Sequence, residues 1–180
     1  GLAAFDDEFS IDDHSEIIRA LENQSPNWPV GDGHGYHMRT FGFLADEIVR
    51  RLAGAETLGQ FWRERIAEPL GLDLWIGLPP EQDYRVAKLR PGSPSPEMRD
   101  SFFTTLGDPK SLSAKAARSP KGLNAVSDMN RPETWRRCLP SFGGIGSARS
   151  LGKFYAIFAN DGIWKGEEIF SEKVCQWAQT

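Results

Sequence analysis

The sequence has no long apolar run, no concentrated basic segment and few cysteines, and each absence excludes a class of protein. No stretch approaches the roughly 20 apolar residues that a membrane-spanning helix needs, so we expect no membrane partner. The 21 Lys and Arg residues are fewer than the 25 Asp and Glu residues, and they are scattered apart from pairs such as Arg50-Arg51. Because nucleic-acid binding normally requires a basic face, we expect no nucleic-acid partner.

The two cysteines, Cys138 and Cys175, match neither a zinc-ligand spacing nor a disulfide framework. We therefore predict reduced, buried thiols, which favours a cytoplasmic location. Residues 1–5 lack the basic and apolar segments of a secretory signal peptide. An acidic run precedes His14, but such side chains are typical of a solvated face, so we predict no metal site and no cofactor. The run consists of Asp6, Asp7, Glu8, Asp12 and Asp13.

The composition is that of a globular protein with a real core. The chain has 180 residues, of which 39% are hydrophobic and 26% are charged. Its last residues, Cys175–Thr180, lie inside a predicted helix, and its first residues precede any predicted element. We therefore predict that residues 1–180 form one incomplete domain, which packs against remaining segments of the same fold. The sequence leaves the oligomeric state open.

An apolar period of about 3.6 residues predicts helices separated by Pro- and Gly-rich loops. Ser10 and Asp13 resemble a capping box that opens the first helix, which buries Ile17, Ile18 and Leu21. The second helix is predicted to begin near Tyr36 and to end at Gly54. Its predicted core-facing stripe is Phe41, Leu44, Ala45, Ile48 and Leu52.

Shorter elements follow in the second half of the chain. Thr57 and Gln60 form another capping box, before a helix that stops at Pro69. Ser147 and Ser171 are each placed to cap a helix. The helix after Ser147 follows the glycine-rich loop 140–146, and its predicted apolar face consists of Leu151, Phe154, Tyr155 and Phe158. Weak helical patterns cover 96–105 and 111–118, short strands are predicted at 74–77 and 86–89, and 163–166 is predicted as a hairpin tip.

Tyr36 lies where a Pro/Gly-rich turn meets a helix, and loops held by a rigid scaffold are common sites of chemistry. From the residues alone, Tyr36 is either a proton-transfer group or an aromatic anchor that donates one hydrogen bond. His37 either contributes to a pocket beside the tyrosine or makes local hydrogen bonds. His34 is interpreted as either a surface group or a group that supports the pocket residues from behind, and His14 as a solvated side chain.

Three segments, in this order, resemble the serine β-lactamase-related hydrolases, which include class C β-lactamases, DD-peptidases and family VIII-type esterases. Gly1–Phe5 resembles the stretch that follows the family's SHxSGL element. Trp28–His37, WPVGDGHGYH, resembles the segment W-x-P-G-T-x-x-x-Y-S, and EPLGL at 68–72 follows as in the family. Gly143–Leu151, GGIGSARSL, resembles GGxxSTARDLARF. Together these segments cover nearly the whole chain.

The resemblance implies that this chain is the mainly α portion of the α/β (α+β) β-lactamase/transpeptidase-like fold, a helical lobe with few short strands. In that family a helical lobe packs beside a mixed lobe with an antiparallel sheet, and the active site lies between them. The family's S-x-x-K motif precedes SHxSGL, and its H/K-x-G strand follows the helical portion. Both are therefore expected outside residues 1–180.

The resemblance assigns Tyr36 the role of general base, which deprotonates the nucleophilic serine and later protonates the leaving group. A serine hydroxyl is a weak nucleophile and needs an adjacent base, while nearby ammonium groups favour a phenolate. Trp28, His37 and Met38 are the predicted substrate-binding residues. Met38 stands where the family has Asn or Ser, which favours esters over lactams and peptides. Phe41 and Phe43 are further candidates for the pocket wall, although Phe41 fits helix packing equally well.

The predicted function is therefore a serine hydrolase, favouring carboxylic esters, that acts through an acyl-enzyme on a small ester or amide substrate. Without its nucleophile, this chain alone is expected to be inactive. The alternatives are a β-lactamase or DD-peptidase, and a non-catalytic helical module for binding or scaffolding. Ser150-Leu151-Gly152-Lys153 is a literal S-x-x-K, but it falls in an ordinary helix of the family, so we interpret Ser150 as structural and Lys153 as solvated. Ser127-Asp128-Met129 imitates S-D-N and is interpreted as a turn.

Overall fold

The chain is mainly helical, as expected. The computed structural model describes residues 1–5, 9–92 and 101–179, with the backbone alone at 101–103. Its α-helices are α1 (His14–Asn23), α2 (Thr40–Ala53), α3 (Leu58–Trp62), α4 (Ser101–Gly107), α5 (Leu112–Arg118), α6 (Val126–Met129), α7 (Pro132–Arg136), α8 (Ala148–Ala159) and α9 (Glu172–Ala178). A π-helical turn over Arg63–Ala67 continues α3, and a 3₁₀ helix covers Pro80–Arg85. Within these ranges, no helix combines the length and apolar character needed to cross a membrane.

Short antiparallel strands connect distant parts of the chain. β1 (Leu74–Ile76) pairs with β2 (Gly144–Gly146), and this pairing places the glycine-rich loop beside the segment that follows α3. β3 (Ile163–Trp164) and β4 (Glu167–Glu168) form a hairpin. Its turn residues, Lys165 and Gly166, have φ values of +53° and +86°, as a tight hairpin turn requires. The predicted strand at 74–77 and the predicted hairpin at 163–166 are confirmed.

The predicted strand at 86–89 is wrong. Leu89 has no strand partner, and the side chain of Asn130 takes that place. Asn130 Oδ1 accepts from the Leu89 amide at 2.8 Å, and Asn130 Nδ2 donates to the Leu89 carbonyl at 2.9 Å. A side-chain amide that satisfies both backbone groups of one residue removes the need for a ladder.

Two apolar clusters hold the described residues together. Ile17 and Ile157, one from each cluster, are fully buried, and burying such a side chain stabilises a fold by about 1.5–3 kcal/mol. The first cluster packs residues 1–5 and α1 against α2, which fixes both ends of the intervening loop at 24–39. It consists of Phe5, Ile11, Ile17, Ile18, Leu21, Phe43, Leu123 and Leu139. The second cluster consists of Ala67, Leu70, Leu72 and Ile157.

The predicted start and inner face of α2 are both wrong. The helix begins at Thr40, four residues after Tyr36, and buries Thr40, Phe43 and Asp46. The spacing of apolar residues did not predict this face, because two of the residues that α2 buries, Thr40 and Asp46, are polar. Of the predicted stripe, Leu44 and Ala45 are half-buried, whereas three residues are exposed on the outer side: Phe41, Ile48 and Leu52. The prediction that Gly54 ends the helix is confirmed, since it has a φ of +64°.

Three of the predicted helix caps are confirmed by hydrogen bonds. Thr57, Ser147 and Ser171 each accept from the amide three residues later. The Ser10–Asp13 capping box is wrong, because the Ser10 hydroxyl accepts from Asp12 N in the turn before α1.

The remaining predictions concern the helices at 111–118 and 96–105 and the apolar face of α8. The predicted helix at 111–118 is confirmed by α5, whose N-cap is Ser111. Of the predicted helix at 96–105, residues 96–100 lie outside the described residues, as do Asp6–Glu8 of the acidic run. On α8, Phe154 and Phe158 are half-buried, but Leu151 and Tyr155 are exposed, so the predicted face holds only in part.

Candidate active site

The loop that carries Tyr36 is built around the indole of Trp28. Trp28 Nε1 donates to the Gly33 carbonyl at 3.2 Å, closing the turn between them. The indole lies between two glycines: a Cβ atom on Gly1 would lie 2.2 Å from the ring, and one on Gly35 would lie 2.6 Å from it. Contacts this short leave room only for glycine, so the indole fixes the backbone on both sides.

The start of the chain is fastened to the same loop through Asn27. Its Oδ1 accepts from Ala3 N at 2.8 Å, and its backbone amide donates to the Gly1 carbonyl at 2.7 Å. Gln24 Nε2 also donates to the Ala4 carbonyl at 2.7 Å. Residues 1–4, which resemble the stretch after SHxSGL, therefore lie beside the segment that resembles the tyrosine motif.

Tyr36 projects from this loop into solvent. Its side chain is 80% exposed, and it makes no hydrogen bond within the part of the chain that the structure describes. His37, next to it, is half-buried, and its ring lies edge-on to Trp28 with the ring centroids 6.4 Å apart. Partial burial lowers the pKa of His37. Its neutral form is thus favoured, with one ring nitrogen able to donate and the other to accept.

The far end of the loop is tied down by Arg39. Arg39 Nη1 donates to the Pro120 carbonyl at 2.7 Å, and Nη2 donates to the Leu123 carbonyl at 2.5 Å. Its own carbonyl accepts from the Ser141 hydroxyl at 3.2 Å. The segment after Tyr36 is therefore joined to both 120–123 and the start of the glycine-rich loop. No sequence pattern indicated this role for Arg39.

The predicted site residues are thus only partly brought together. Trp28, Tyr36 and His37 share one loop, and Met38 follows as a half-buried side chain. Phe43 belongs to the core rather than to a pocket wall, and Phe41 is 61% exposed. His34 is exposed, which favours its interpretation as a surface group. Among residues 1–5, 9–92 and 101–179, no group of three or more His, Cys, Asp or Glu side chains is placed to hold a metal ion.

A buried polar network centred on Asp46 was not predicted from the sequence. Asp46, 3% exposed on α2, accepts from Leu58 N at 2.6 Å and from Cys138 Sγ at 3.2 Å. His14 Nε2 lies 3.0 Å from its Oδ2, a close contact whose angles are not those of a hydrogen bond. His14 was predicted to be solvated, and that prediction is wrong. The available signal was an Asp three residues after Phe43, on the same face of α2.

Cys138 is held as a thiol by this network. Burial, with the nearby Asp46 carboxylate second, raises its pKa from 9.0 to about 12. Both cysteines are free, as predicted; Cys175 is buried, whereas Cys138 is only half-buried.

The raised pKa of Cys138 predicts a pH-dependent loss of stability. Above pH 9 the unfolded chain loses the thiol proton while the folded chain keeps it, so unfolding becomes easier as pH rises from 9 towards 12. Allowing for partial exposure, we expect the free energy of unfolding to fall by about 1 kcal/mol per pH unit because of this group. Cys138→Ser keeps a hydrogen-bond donor but does not titrate in this range. The free energy of unfolding, measured with urea between pH 8 and 10.5, should therefore depend less on pH in this variant. Equal slopes in the two proteins would contradict the assignment.

Ser150 and Lys153 are each engaged in structural contacts. Ser150 is 6% exposed, and its hydroxyl accepts from Asp73 N at 2.9 Å. Lys153 donates to the Leu70 carbonyl and lies 5.2 Å from the centroid of the Trp164 ring. The side chains join α8 to residues 70–73, which supports the structural interpretation of Ser150. The prediction of a solvated Lys153 is wrong.

We expect Ser150→Ala to leave any hydrolytic turnover of the full-length protein unchanged and to lower the free energy of unfolding. The loss should be about 1–3 kcal/mol, because the Asp73 amide is left without its acceptor. Turnover and urea unfolding measure the two effects. A fluorophosphonate adduct on Ser150, located by peptide mass spectrometry, would contradict this expectation.

The segment Ser127-Asp128-Met129 also has a structural role, although it is not a turn. It lies in α6, and one oxygen of Asp128 accepts from the amides of Asn124 and Ala125, both at 2.9 Å. These bonds lower the pKa of the Asp128 carboxyl. Asp128 thus holds the start of the helix.

Comparison with known proteins identifies the family. The family model described as Beta-lactamase matches residues 1–174. The chain belongs to the beta-lactamase family. This membership confirms the resemblance drawn from the tyrosine segment and the glycine-rich loop.

Individual relatives of this beta-lactamase-family chain include esterases. The esterase/beta-lactamase LipL of Mycobacterium tuberculosis is 27% identical over 168 residues, a match that covers 90% of this chain and 38% of LipL. The crystal structure of a family VIII carboxylesterase is 27% identical, with a TM-score of 0.80, and the match covers 98% of this chain and 45% of that one.

A third relative is a penicillin-binding protein homolog from Caulobacter crescentus. Its crystal structure is 34% identical, with a TM-score of 0.73, and the match covers 100% of this chain and 46% of that one. The beta-lactamase-family chain thus spans less than half the length of these relatives. The match confirms that it has the mainly α portion of the β-lactamase/transpeptidase-like fold.

Proposed function

We propose that this chain supplies the general base of a serine hydrolase that acts through an acyl-enzyme, with carboxylic esters as the favoured substrates. One observation carries the proposal. Tyr36 is presented to solvent, without a hydrogen-bond partner in the described part of the chain, on a loop fixed by Trp28 in a beta-lactamase-family protein. A tyrosine that only anchored this loop to the described residues would be packed against them or hydrogen-bonded to them.

In the proposed mechanism, the Tyr36 phenolate takes the proton of a serine hydroxyl as the serine oxygen attacks the ester carbonyl. The phenol then returns this proton to the departing alkoxide, leaving an acyl-serine. Water hydrolyses the acyl-serine with the same tyrosine as base. The serine is proposed to come from outside residues 1–180, as part of a domain that these residues leave incomplete, so this chain alone is proposed to be inactive.

The residues around Tyr36 support an ester pocket. Trp28 offers an aromatic edge, and His37, whose pKa is lowered, is a neutral hydrogen-bonding group at pH 7. Met38 places an apolar thioether where an amide-binding residue would be needed for lactams or peptides. Relatives that carry the names carboxylesterase and esterase/beta-lactamase also support this assignment.

A comparison of two chromogenic substrates tests the substrate class. We expect the full-length protein to hydrolyse p-nitrophenyl butanoate with a kcat/KM at least about 100-fold above that for nitrocefin, a difference of roughly 3 kcal/mol in transition-state stabilisation. Met38→Asn, which restores a side-chain amide, should narrow this ratio. A preference for nitrocefin would instead favour a β-lactamase, the alternative that the name of LipL supports.

A further inference from the structure

A large cleft is lined in part by Arg39, the residue that ends the Tyr36 loop. Its volume is 840 Å³, within the range of about 300–1,000 Å³ typical of small-molecule sites. One part of its wall is apolar, formed by Phe5, Phe9, Leu106 and Pro109, and the two phenyl rings meet edge to face with centroids 5.5 Å apart. An apolar body fits against this part.

The rest of the wall combines small or neutral residues with basic ones. Arg39, Lys115, Arg118 and Lys121 line the cleft, and no acidic side chain is among the described residues that do so. Aromatic and basic groups facing one space favour a ligand that is both apolar and negatively charged.

The two arginines have no carboxylate partners within the described residues. Arg39 is half-buried and uses one hydrogen on each Nη for the carbonyls of Pro120 and Leu123. A guanidinium has five N–H donors, so three remain. Burial lowers the pKa of Arg39, because desolvation disfavours its charged form. Arg118 is exposed at the end of α5.

A neutral hydrogen-bonding group in the wall is also unsatisfied. The Ser119 hydroxyl, between Arg118 and Pro120, is buried and has no hydrogen-bond partner in the described part of the chain. An orphaned hydroxyl beside two arginines is a further position at which an acceptor oxygen would be stabilised.

We propose that this cleft binds the carboxylate of a small organic acid with an apolar body. The guanidinium of Arg118 pairs with the carboxylate, and Arg39 provides positive charge at the base of the cleft. The aryl or alkyl part of the acid packs on Phe5 and Phe9. A planar guanidinium fork matches a carboxylate in geometry and charge.

Binding of 4-phenylbutyrate to the full-length protein, measured by isothermal titration calorimetry, tests this proposal. We expect Arg118→Glu to raise the Kd about tenfold or more, because a charge-assisted bond is replaced by repulsion. Arg149→Glu is the matched control, since Arg149 is exposed at the start of α8 and does not line the cleft; its Kd should stay within about twofold of wild type. Thermal unfolding of both variants verifies folding.

Two further ligands establish what the cleft recognises. The neutral analogue 4-phenylbutan-1-ol should bind about tenfold more weakly than the acid, and inorganic phosphate should bind more weakly still because it lacks the apolar body. The proposal is overturned if the acid does not bind, if Arg118→Glu and Arg149→Glu behave alike, or if either alternative ligand matches the acid. None of these measurements uses turnover, so they remain decisive even if Tyr36 proves not to be a base.

Discussion

Tyr36→Phe in the full-length protein is expected to lower kcat for p-nitrophenyl butanoate by about 100- to 10,000-fold, the usual contribution of a positioned acid or base. Phenylalanine keeps the ring and removes only the hydroxyl that is proposed to carry the proton. Because the side chain is 80% exposed and makes no hydrogen bond within the described residues, the free energy of unfolding should be nearly unchanged. Steady-state kinetics and urea unfolding test the two expectations separately.

A second tyrosine provides the control for this substitution. Tyr84, in the 3₁₀ helix, is 86% exposed, so Tyr84→Phe removes a comparable hydroxyl away from the loop. Its kcat should match that of the wild-type protein. Full activity in Tyr36→Phe would remove the assignment and leave the non-catalytic helical module as the better interpretation.

The largest effect on stability is expected from Asp46→Ala. This change removes the acceptor of Leu58 N and Cys138 Sγ and the charge beside His14, all in the interior that joins α1, α2 and α3. Removing one member of a buried polar pair typically costs about 3–5 kcal/mol. We expect about 3 kcal/mol because His14 stays partly exposed to water, and urea unfolding of the full-length protein measures it.

Two variants test whether the loss of stability comes from the buried network or from removing any carboxylate. Asp46→Asn keeps one carbonyl for Leu58 N, so its loss should be smaller than that of Asp46→Ala. Asp32→Ala removes an exposed carboxylate from the Trp28 loop and should change stability by less than about 0.5 kcal/mol. If Asp46→Ala were as mild as Asp32→Ala, the network would not be a major source of stability.

Features that depend on a few neighbouring residues could be predicted from the sequence. The cap at Thr57, the stop at Gly54 and the hairpin at 163–166 each follow from local turn and cap chemistry. The family could also be recognised, because the tyrosine segment and the glycine-rich loop have characteristic residues in a fixed order.

Features that depend on distant contacts could not be predicted in this way. Asp46 lies on the buried face of α2 because its partners come from α1, the start of α3 and position 138. The carbonyls that hold Arg39 are more than 80 residues away along the chain. No periodic pattern within a single helix carries that information.

The glycines around Trp28 determine where this loop is free to change during evolution. Gly35 and Gly1 are both closed to substitution, because the indole fills the space that a Cβ atom would occupy at each position. A Cβ atom on Gly33, by contrast, would meet nothing within 4 Å, and His34 is exposed. Variation at positions 33 and 34 can therefore alter the rim of the proposed ester pocket while the tyrosine stays in place, which makes these two positions the natural targets for a library aimed at new substrates.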